Sequence, residues 1–502
     1  MSAPSLPALP GTPLYTSASL RAIETAALSD LADPGALMAR AGQAAWTCLR
    51  AHWPQAQRLC VVCGPGNNGG DGYVLARIAH EAGLDVDVVR LPSHTPRGAL
   101  AQAACAAFVE AGGRVLPFEG GALQADVLVD ALYGIGLSRA VEGDSAALID
   151  AMQAADAPVF ALDVPSGFDA DLGSAPGTAV RATRTLQFLA AHVGLQTGDG
   201  ADHAGALSLA SLDADPARTA VAPMAARRVT VADLGHWLRP RGRNSHKGAS
   251  GRVLCIGGDH GTGGAVVLAA EAALRTGAGL VRVATRAAHV APLLARCPEA
   301  MVSVIETDAV LAGLLDAADV VALGPGLGQG AWAHGLYADV LDAAPALVLD
   351  ADALNLLAVR PRAVPPGTIL TPHPGEAARL LGCATAEVQR DRLAAVRDLA
   401  ERHAAVVVLK GAGTLVCAPG ATPWLIAAGN PGMATGGMGD VLTGVVAALR
   451  AQGLGPEDAA VCGALLHSAA GDVAAAAGGE RGLRATDVIA ALRPLANPET
   501  RP

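Results

Sequence analysis

Short apolar runs recur along this chain, and most are followed by Gly or polar residues and then by an Ala-rich stretch of helical length. Residues 59–63, 86–91, 127–132, 159–164 and 186–189 form one series, with helical stretches such as 72–82 and 97–111 between them. A run that is apolar at nearly every position suits a strand covered on both faces. Strands of that kind separated by helices make βαβ units and a parallel sheet, so the fold class is α/β. The pattern thins over residues 213–228, which carry Asp, Pro and Arg and few bulky apolar residues. A second series then begins at 252–257 and continues through 280–285, 320–324, 347–350, 368–371 and 406–410. Two hairpin-like runs follow near 414–417 and 423–427, and the end reads as helical from about residue 440 to 477. The chain has 502 residues, and ordinary domains run about 100–200. Two three-layer domains are expected, residues 1–220 and 227–502, with no internal repeat relating them.

Composition narrows the function classes. Hydrophobic residues make up 51% and charged residues 16%, which suits a globular chain. Aromatics are 3%, so the cores must be built from Ala, Val and Leu. The net charge of −10 lacks the basic surplus of a nucleic-acid binder. No segment reaches the roughly 18 uninterrupted apolar residues of a membrane span. Residues 1–20 lack a signal peptide's charged start and apolar core, and read as a loose Pro- and Ser-rich arm. A cytoplasmic location is expected. Nine scattered cysteines do not form a disulfide framework. Cys60 and Cys63 form a CxxC inside an apolar run, where positions three apart face opposite sides of a strand, so they read as core residues.

Basic residues are nearly all Arg; the two lysines are Lys247 and Lys410, each directly before Gly. A compact point charge suits a phosphate, so both are candidates for anion contacts.

In the first domain, the run 59–63 leads into Gly64-Pro65-Gly66-Asn67-Asn68-Gly69-Gly70-Asp71-Gly72, with a helix expected from Tyr73. Glycines let backbone N–H groups approach an anion, and a helix start favours negative charge. The spacing is neither GxGxxG nor a Walker A loop. Asp130 ends a second run, before Gly134-Ile135-Gly136-Leu137, and Asp163 ends a third, before Val164-Pro165-Ser166-Gly167. Open parallel sheets bind ligands beyond the carboxyl ends of their strands, so these three ends define one candidate site.

These motifs resemble the NAD(P)H-hydrate epimerase family, which has a Rossmann-like fold and interconverts the R and S forms of nicotinamide dinucleotide hydrated at C6. The resemblance implies a potassium ion held by Asn68, Asp130 and Ser166. It implies a hydrate site lined by Asn67, Asn68, Gly69, Gly70, Asp71, Gly134, Ile135, Gly136, Leu137, Ser138, Arg139, Ala140 and Asp163. Asp163 is the candidate acid/base, because a proton must move as C6 loses and regains its hydroxyl. Ala39 stands where the family tends to carry Glu.

In the second domain, Asn430-Pro431-Gly432-Met433-Ala434-Thr435-Gly436-Gly437-Met438-Gly439-Asp440 opens a helix. Gly436–Gly439 can present N–H groups to a phosphoryl group, and Asp440 in the first turn can act as base toward a hydroxyl. Lys410-Gly411-Ala412-Gly413-Thr414 follows one run, Thr371-Pro372-His373-Pro374-Gly375-Glu376 another, and Gly324-Pro325-Gly326-Leu327-Gly328 a third. Together they resemble the NAD(P)H-hydrate dehydratase family, a ribokinase-like branch, over roughly residues 239–493. That resemblance implies that Lys410, Gly411, Ala412, Gly413, Thr414 and Gly439 bind the AMP part of a nucleotide. Ala265, Gly326, His373 and Asp440 would contact the hydrate, with Asp440 catalytic. The implied co-substrate is ADP with Mg2+, the substrates are the hydrates of NADH and NADPH, and the family assembles as homo-oligomers.

Two other readings fit part of this pattern. A vitamin or sugar kinase would use the residues 436–440 loop but has no use for residues 67–72. A non-catalytic dinucleotide sensor would keep the Gly-rich loops but needs neither Asp163 nor Asp440.

Overall fold

The computed structural model describes residues 10–136, 139–219, 222–306 and 310–498. The chain divides into two compact units, Pro13–Ala226 and Arg227–Pro502, and the described residues before Pro13 group with the second. The strands, in chain order, begin with β1 (Thr12–Leu14), β2 (Arg58–Cys63), β3 (Asp85–Arg90), β4 (Arg114–Pro117), β5 (Val127–Ala131), β6 (Val159–Leu162), β7 (Arg184–Phe188) and β8 (Ala206–Ala210). Strands β2 to β8 form a seven-stranded sheet in the order β4-β3-β2-β5-β6-β7-β8, and every pair is parallel. The strand order turns back at β2 and β5, the topological switch point where an open α/β sheet binds its ligand. Helices Gly35–His52, Asn67–Glu81 and Ala99–Glu110 are among those that flank the sheet. Cys60 packs in one core layer and Cys63 in the layer on the other face. Burial pushes the Cys60 thiol up to about 12 and holds the Cys63 thiol well above its ordinary value.

The expected loose arm is structured where it is described. Thr16 caps the helix Ser17–Ser29 by accepting from Ser19 N, and Ser17 donates to Asp171 through N and Oγ, at 2.6 and 2.8 Å. Side-chain caps of this kind replace the missing backbone partners of a helix start, so Pro and Ser content alone misleads here. The helix expected from Tyr73 begins at Asn67, so the Asn-Asn-Gly-Gly-Asp segment forms its opening turns.

The second unit adds β9 (Ala226–Val229), β10 (Arg252–Ile256), β11 (Leu280–Thr285), β12 (Met301–Val304), β13 (Val320–Leu323), β14 (Leu347–Leu349), β15 (Ile369–Leu370), β16 (Val406–Leu409), β17 (Leu415–Cys417) and β18 (Trp424–Ile426). Its sheet runs β1-β9-β18-β17-β16-β15-β14-β13-β10-β11-β12. Strands β10 to β16 are parallel, whereas β16-β17-β18 is an antiparallel meander, as the hairpin-like runs imply. The helical end is three helices, Met438–Ala451, Pro456–Gly478 and Ala485–Leu495, and Gly453 and Gly455 break the first from the second. Pro456–Gly478 is the one described helix long and apolar enough to cross a bilayer, yet residues 459–471 are all buried in the core.

Helices Gly263–Thr276 and Met438–Ala451 meet so closely that a Cβ at Gly444 would run into the carbonyl oxygen of Ala269. Helix propensity alone favours Gly444→Ala by about 1 kcal/mol. The contact is with backbone, which cannot swing aside, and overpacking of this kind costs about 1–3 kcal/mol. Gly444→Ala is therefore expected to lower the unfolding midpoint in a denaturant titration; an unchanged or raised midpoint would show that the helices separate freely.

Candidate functional site

Each unit gathers polar side chains beyond the carboxyl ends of its parallel strands. In the first unit, a Cβ at Gly64 would strike the Leu132 carbonyl, so only Gly lets the β2 and β5 loops lie against each other. The helix Asn67–Glu81 starts immediately beyond, with extended Gly66 as its cap and no side-chain cap bond. Its first N–H groups are thus free of a capping side chain and set up for an anion.

Around this helix start lies a cavity of about 750 Å³. Asn67, Asn68, Asp71, Gly134, Ile135, Gly136, Arg139 and Asp163 all line it. Gly69 and Gly70 are buried behind it, where a Cβ would meet Gly64 backbone and the Met38 side chain. Ala140 stands apart, beside Gly177, and Leu137 and Ser138 lie outside the described residues. Ala39 is exposed and absent from the lining. Three lining residues carry chemistry that the motifs did not flag: Arg21, Glu24 and His192. Arg21 donates to the Ile135 carbonyl at 3.0 Å.

Asp163 sits at φ 64, a left-handed conformation that is strained for a non-Gly residue. Its Oδ1 is 3.0 Å from His192 Nε2, and its Oδ2 faces Ile135 N at 3.4 Å. Burial, then the charges of Asp163 and Glu24, hold the Asp71 carboxyl well above the usual carboxylate range. Burial and Asp163 likewise raise Glu24, against the pull of Arg21.

Asp130 is fully buried beneath the cavity wall. Its Oδ1 accepts from Ser166 Oγ at 2.6 Å and Leu132 N at 3.2 Å, and its Oδ2 accepts from Ser166 N at 2.7 Å. Burial raises its carboxyl to about 6 despite those bonds. Ser166 Oγ also receives the Tyr133 N–H at 2.8 Å. Asn68 is buried, and neither its Oδ1 nor its Nδ2 has a partner among the described residues. An orphaned buried amide oxygen and a desolvated carboxylate are hard donors of the kind that suits a monovalent cation.

In the second unit, Gly257 repeats the role of Gly64: a Cβ there would strike the Pro325 carbonyl. The β10 and β13 loops are joined by Gly258 N to Pro325 O at 3.0 Å, Asp259 N to Gly326 O at 2.7 Å and Thr262 Oγ1 to Gly326 O at 2.8 Å. Ala265 lies in the first turn of the next helix, and its N–H donates to the Thr262 carbonyl at 3.2 Å. From the next strand end, Asp350 is 1% exposed and accepts from Lys410 Nζ at 2.8 Å and Thr443 Oγ1 at 2.7 Å. Burial alone would raise Asp350; the Lys410 charge and these bonds bring it below the usual range. Lys410, opposed by its own burial, is held above its ordinary value by Asp350 and Glu376. Buried Arg392 donates to the Leu409 and Lys410 carbonyls, both at 3.3 Å, fixing the segment before Gly411. Gly411 and Gly413 take φ 136 and 60, and Thr414 Oγ1 donates to Gly411 O, so residues 410–414 form a tight turn with Ala412 at its centre.

The helix Met438–Ala451 begins after left-handed Gly437 with no side-chain cap bond. A Cβ on Gly439 would stand 3.1 Å from Lys410 Nζ and 3.5 Å from Asp350 Oδ2. Asp440, in the first turn, is raised to about 7 by burial and by the Asp350 charge, with Lys410 opposing. His373 is half exposed rather than in the core, and part of its role is structural. Its Nδ1 accepts from Gly375 N at 2.9 Å, while Glu376 accepts from His373 N at 2.8 Å, a capping box for the helix Pro374–Leu381. Glu376, raised to about 7 by burial against the pull of Lys410, lies 3.8 Å from Lys410 Nζ.

The two lysines part company here. Lys247 is exposed in a 3-10 turn that precedes β10, at the amino end of the strand, whereas Lys410 follows the carboxyl end of β16. A larger cavity of about 910 Å³ also lies away from the strand ends, where Arg241 donates to the Gly277 carbonyl at a helix C-terminus and Arg296 pairs with Glu271.

Comparison with known proteins extends these observations to both units. A family model described as NAD(P)H-hydrate dehydratase matches residues 253–494, and one described as YjeF-related protein N-terminus matches residues 34–194. The chain is 46% identical over 469 residues to the bifunctional NAD(P)H-hydrate repair enzyme Nnr of Escherichia coli K12, covering 92% of this chain and 90% of that protein. It is 47% identical over 490 residues to the enzyme of the same name from Coxiella burnetii, covering 97% and 100%. Among solved structures, a ribokinase-like superfamily protein from Enterococcus faecalis is 32% identical, with a TM-score of 0.51, covering 55% of this chain and 96% of that one. The match to both halves, over nearly the whole length of the relatives, places this chain in the family of bifunctional NAD(P)H-hydrate repair enzymes.

Proposed function

We propose that the cavity at Asn67–Glu81 epimerises NAD(P)H hydrate at C6, and that the cluster around Lys410 and Asp440 dehydrates the S form with ADP. One observation carries this reading. Each unit puts a carboxylate beside an uncapped helix start at its strand ends, but among the described residues only the second pairs that arrangement with a half-buried lysine. The first site is therefore suited to moving protons, and the second to handling a phosphoryl group as well. The resemblance extends to a cytoplasmic, homo-oligomeric enzyme.

Epimerisation needs the C6 hydroxyl to leave as water, driven by the ring nitrogen lone pair, and water to return on the other face. Asp163 gives up and recovers that proton. Asp71, which binds a proton more readily than an ordinary carboxyl, serves as a hydrogen-bond donor to the hydrate. The N–H groups at the start of the Asn67–Glu81 helix take the dinucleotide phosphates. Asn68, Asp130 and Ser166 would hold the potassium ion; when bound, it supplies a fixed positive charge that offsets buried Asp130 and gives the Asn68 oxygen a partner.

In dehydration, Asp440 accepts the proton of the C6 hydroxyl as that oxygen takes the terminal phosphoryl group of ADP, releasing AMP. Phosphate then leaves C6 as a proton leaves C5, which restores the ring double bond. Residues 410–414 and Gly439 receive the AMP part, while Ala265, Gly326 and His373 contact the hydrate. No three His, Cys, Asp or Glu side chains among the described residues form a metal cage, so Mg2+ would be carried chiefly by the nucleotide phosphates.

Asp440→Asn is expected to cut dehydration of S hydrate by about 10²–10⁴-fold while ADP still binds. Wild-type turnover in that variant would remove Asp440 from the mechanism. Because the base must be ionised and Asp440 titrates at about 7, kcat/KM should rise with pH and level off above that value. A profile flat from pH 5 to 9, measured as recovery of reduced nicotinamide, would contradict it.

Asp163→Asn should stop conversion of R hydrate by a comparable factor and leave S-hydrate dehydration intact. Chromatography of the two epimers, with and without ADP, separates these activities. Loss of both together would show that the two sites are not independent.

A further inference from the structure

The first cavity contains a titratable side chain that the proposed chemistry leaves without a role. His192 follows β7, is 1% exposed and lines the cavity beside Asp163. Its Nε2 is 3.0 Å from Asp163 Oδ1. With Oδ1 as the acceptor, the proton of this bond sits on Nε2. Nδ1 is buried with no partner among the described residues, which makes the Asp163 bond the ring's sole side-chain tie there.

The backbone under the ring is held firmly. His192 N donates to Gln187 Oε1 at 2.8 Å, and Tyr15 pairs alongside through Tyr15 N to Ala191 O at 2.9 Å and Val193 N to Tyr15 O at 3.0 Å. Asp163 is fixed at the other end by its left-handed backbone. Its other oxygen, Oδ2, receives a long 3.4 Å bond from Ile135 N; it would be 2.9 Å from a Cβ on Gly134, and Asn68 side-chain atoms flank the same spot at 3.5 Å. One oxygen of Asp163 is thus claimed by His192, and the other is presented to the cavity where a Gly leaves room.

We propose that His192 is the positioning residue of the epimerase site: it tethers Asp163 through Oδ1 so that Oδ2 is the oxygen that exchanges the proton with the C6 hydroxyl. The inference rests on the assignment of Asp163 made above. An untethered carboxylate rotates about its terminal bond and spreads over orientations that do not reach the reacting atom, which lowers the turnover rate more than substrate affinity. The tether matters more here because Glu24 also faces this cavity, and its charge and that of Asp163 oppose each other.

The test uses the full-length protein, R hydrate without nucleotide, and chromatographic detection of S hydrate, with kcat and KM determined for His192→Asn and His192→Gln. The Gln amide nitrogen reaches about as far as Nε2, and the Asn amide falls one methylene short. His192→Asn is expected to lose about ten- to a hundredfold in kcat with KM changed less than about threefold, while His192→Gln stays within about threefold of wild type. Thermal unfolding of the first unit shows whether each variant is folded, and the two amides impose nearly the same burial cost. Equal loss in both variants, loss in neither, or a change confined to KM overturns the inference. Asp163→Asn is run alongside. If it epimerises at the wild-type rate, the Asp163 assignment falls and the tether with it. If it is inactive while His192→Asn turns over normally, only the role of His192 falls.

Discussion

A Cβ at Gly64 would run into the carbonyl of Leu132, and one at Gly257 into the carbonyl of Pro325. Both contacts join the loop after one central strand to the loop after its neighbour, β2 to β5 and β10 to β13. Backbone-to-backbone approach at these points lets the following helix begin directly over the strand ends. Residues further along each loop inherit their places from it. Gly134 can face Asn68 and Asp163 because the β5 loop is pressed against the β2 loop, and Gly326 can accept from Asp259 and Thr262 because the β13 loop is pressed against the β10 loop. The glycines of these segments thus act first on backbone spacing, and only through it on ligand binding.

The two units then settle their buried charge in different ways. Asp350 is neutralised inside the protein by Lys410, with Thr443 completing its hydrogen bonds, so the charge pair is finished before any ligand arrives. Asp130 has only hydrogen bonds from Ser166 and Leu132, and its carboxyl stays raised to about 6. A buried carboxylate without a cation partner costs free energy unless it protonates or recruits a cation. Asn68 is likewise buried, with no partner for its amide among the described residues. The second unit therefore carries its counter-charge as a side chain, while the first leaves Asp130 with hydrogen bonds alone.

The central strands were legible because they are apolar on both faces, and each observed strand among β2, β3, β5, β6, β7, β10, β11, β13, β14, β15 and β16 falls on a run readable from composition. The outer strands were not. Arg114–Pro117, Ala206–Ala210 and Met301–Val304 are short and partly exposed, so they lack a full apolar signature and exist because a neighbour offers them a partner. Site residues divide along similar lines. Asp163 and Asp440 announce themselves by following an apolar run or a Gly-rich turn. His192 and Glu24 enter the cavity only through tertiary packing, although His192 follows the strand-like run 186–189 and its position after that strand was an available signal. Asp350 also ended a predicted run, but its importance depends on Lys410, sixty residues later.

The lysines show why order along the chain matters more than local motif. Lys247 and Lys410 both precede Gly beside a strand, yet Lys247 comes before β10 and Lys410 comes after β16. In a parallel sheet all strand carboxyl ends lie on one side, so only a residue that follows its strand joins the others at the crevice. The same geometry explains how one substrate can serve two chemistries in one chain. In the proposed chemistry each site uses an uncapped helix start for the dinucleotide phosphates and a carboxylate for the proton at C6. What separates them is the next group: in the first unit it is His192, 3.0 Å from Asp163. In the second it is Lys410, paired with Asp350 at 2.8 Å beside the Gly439 helix start, a positive charge of the kind a transferring phosphoryl group requires.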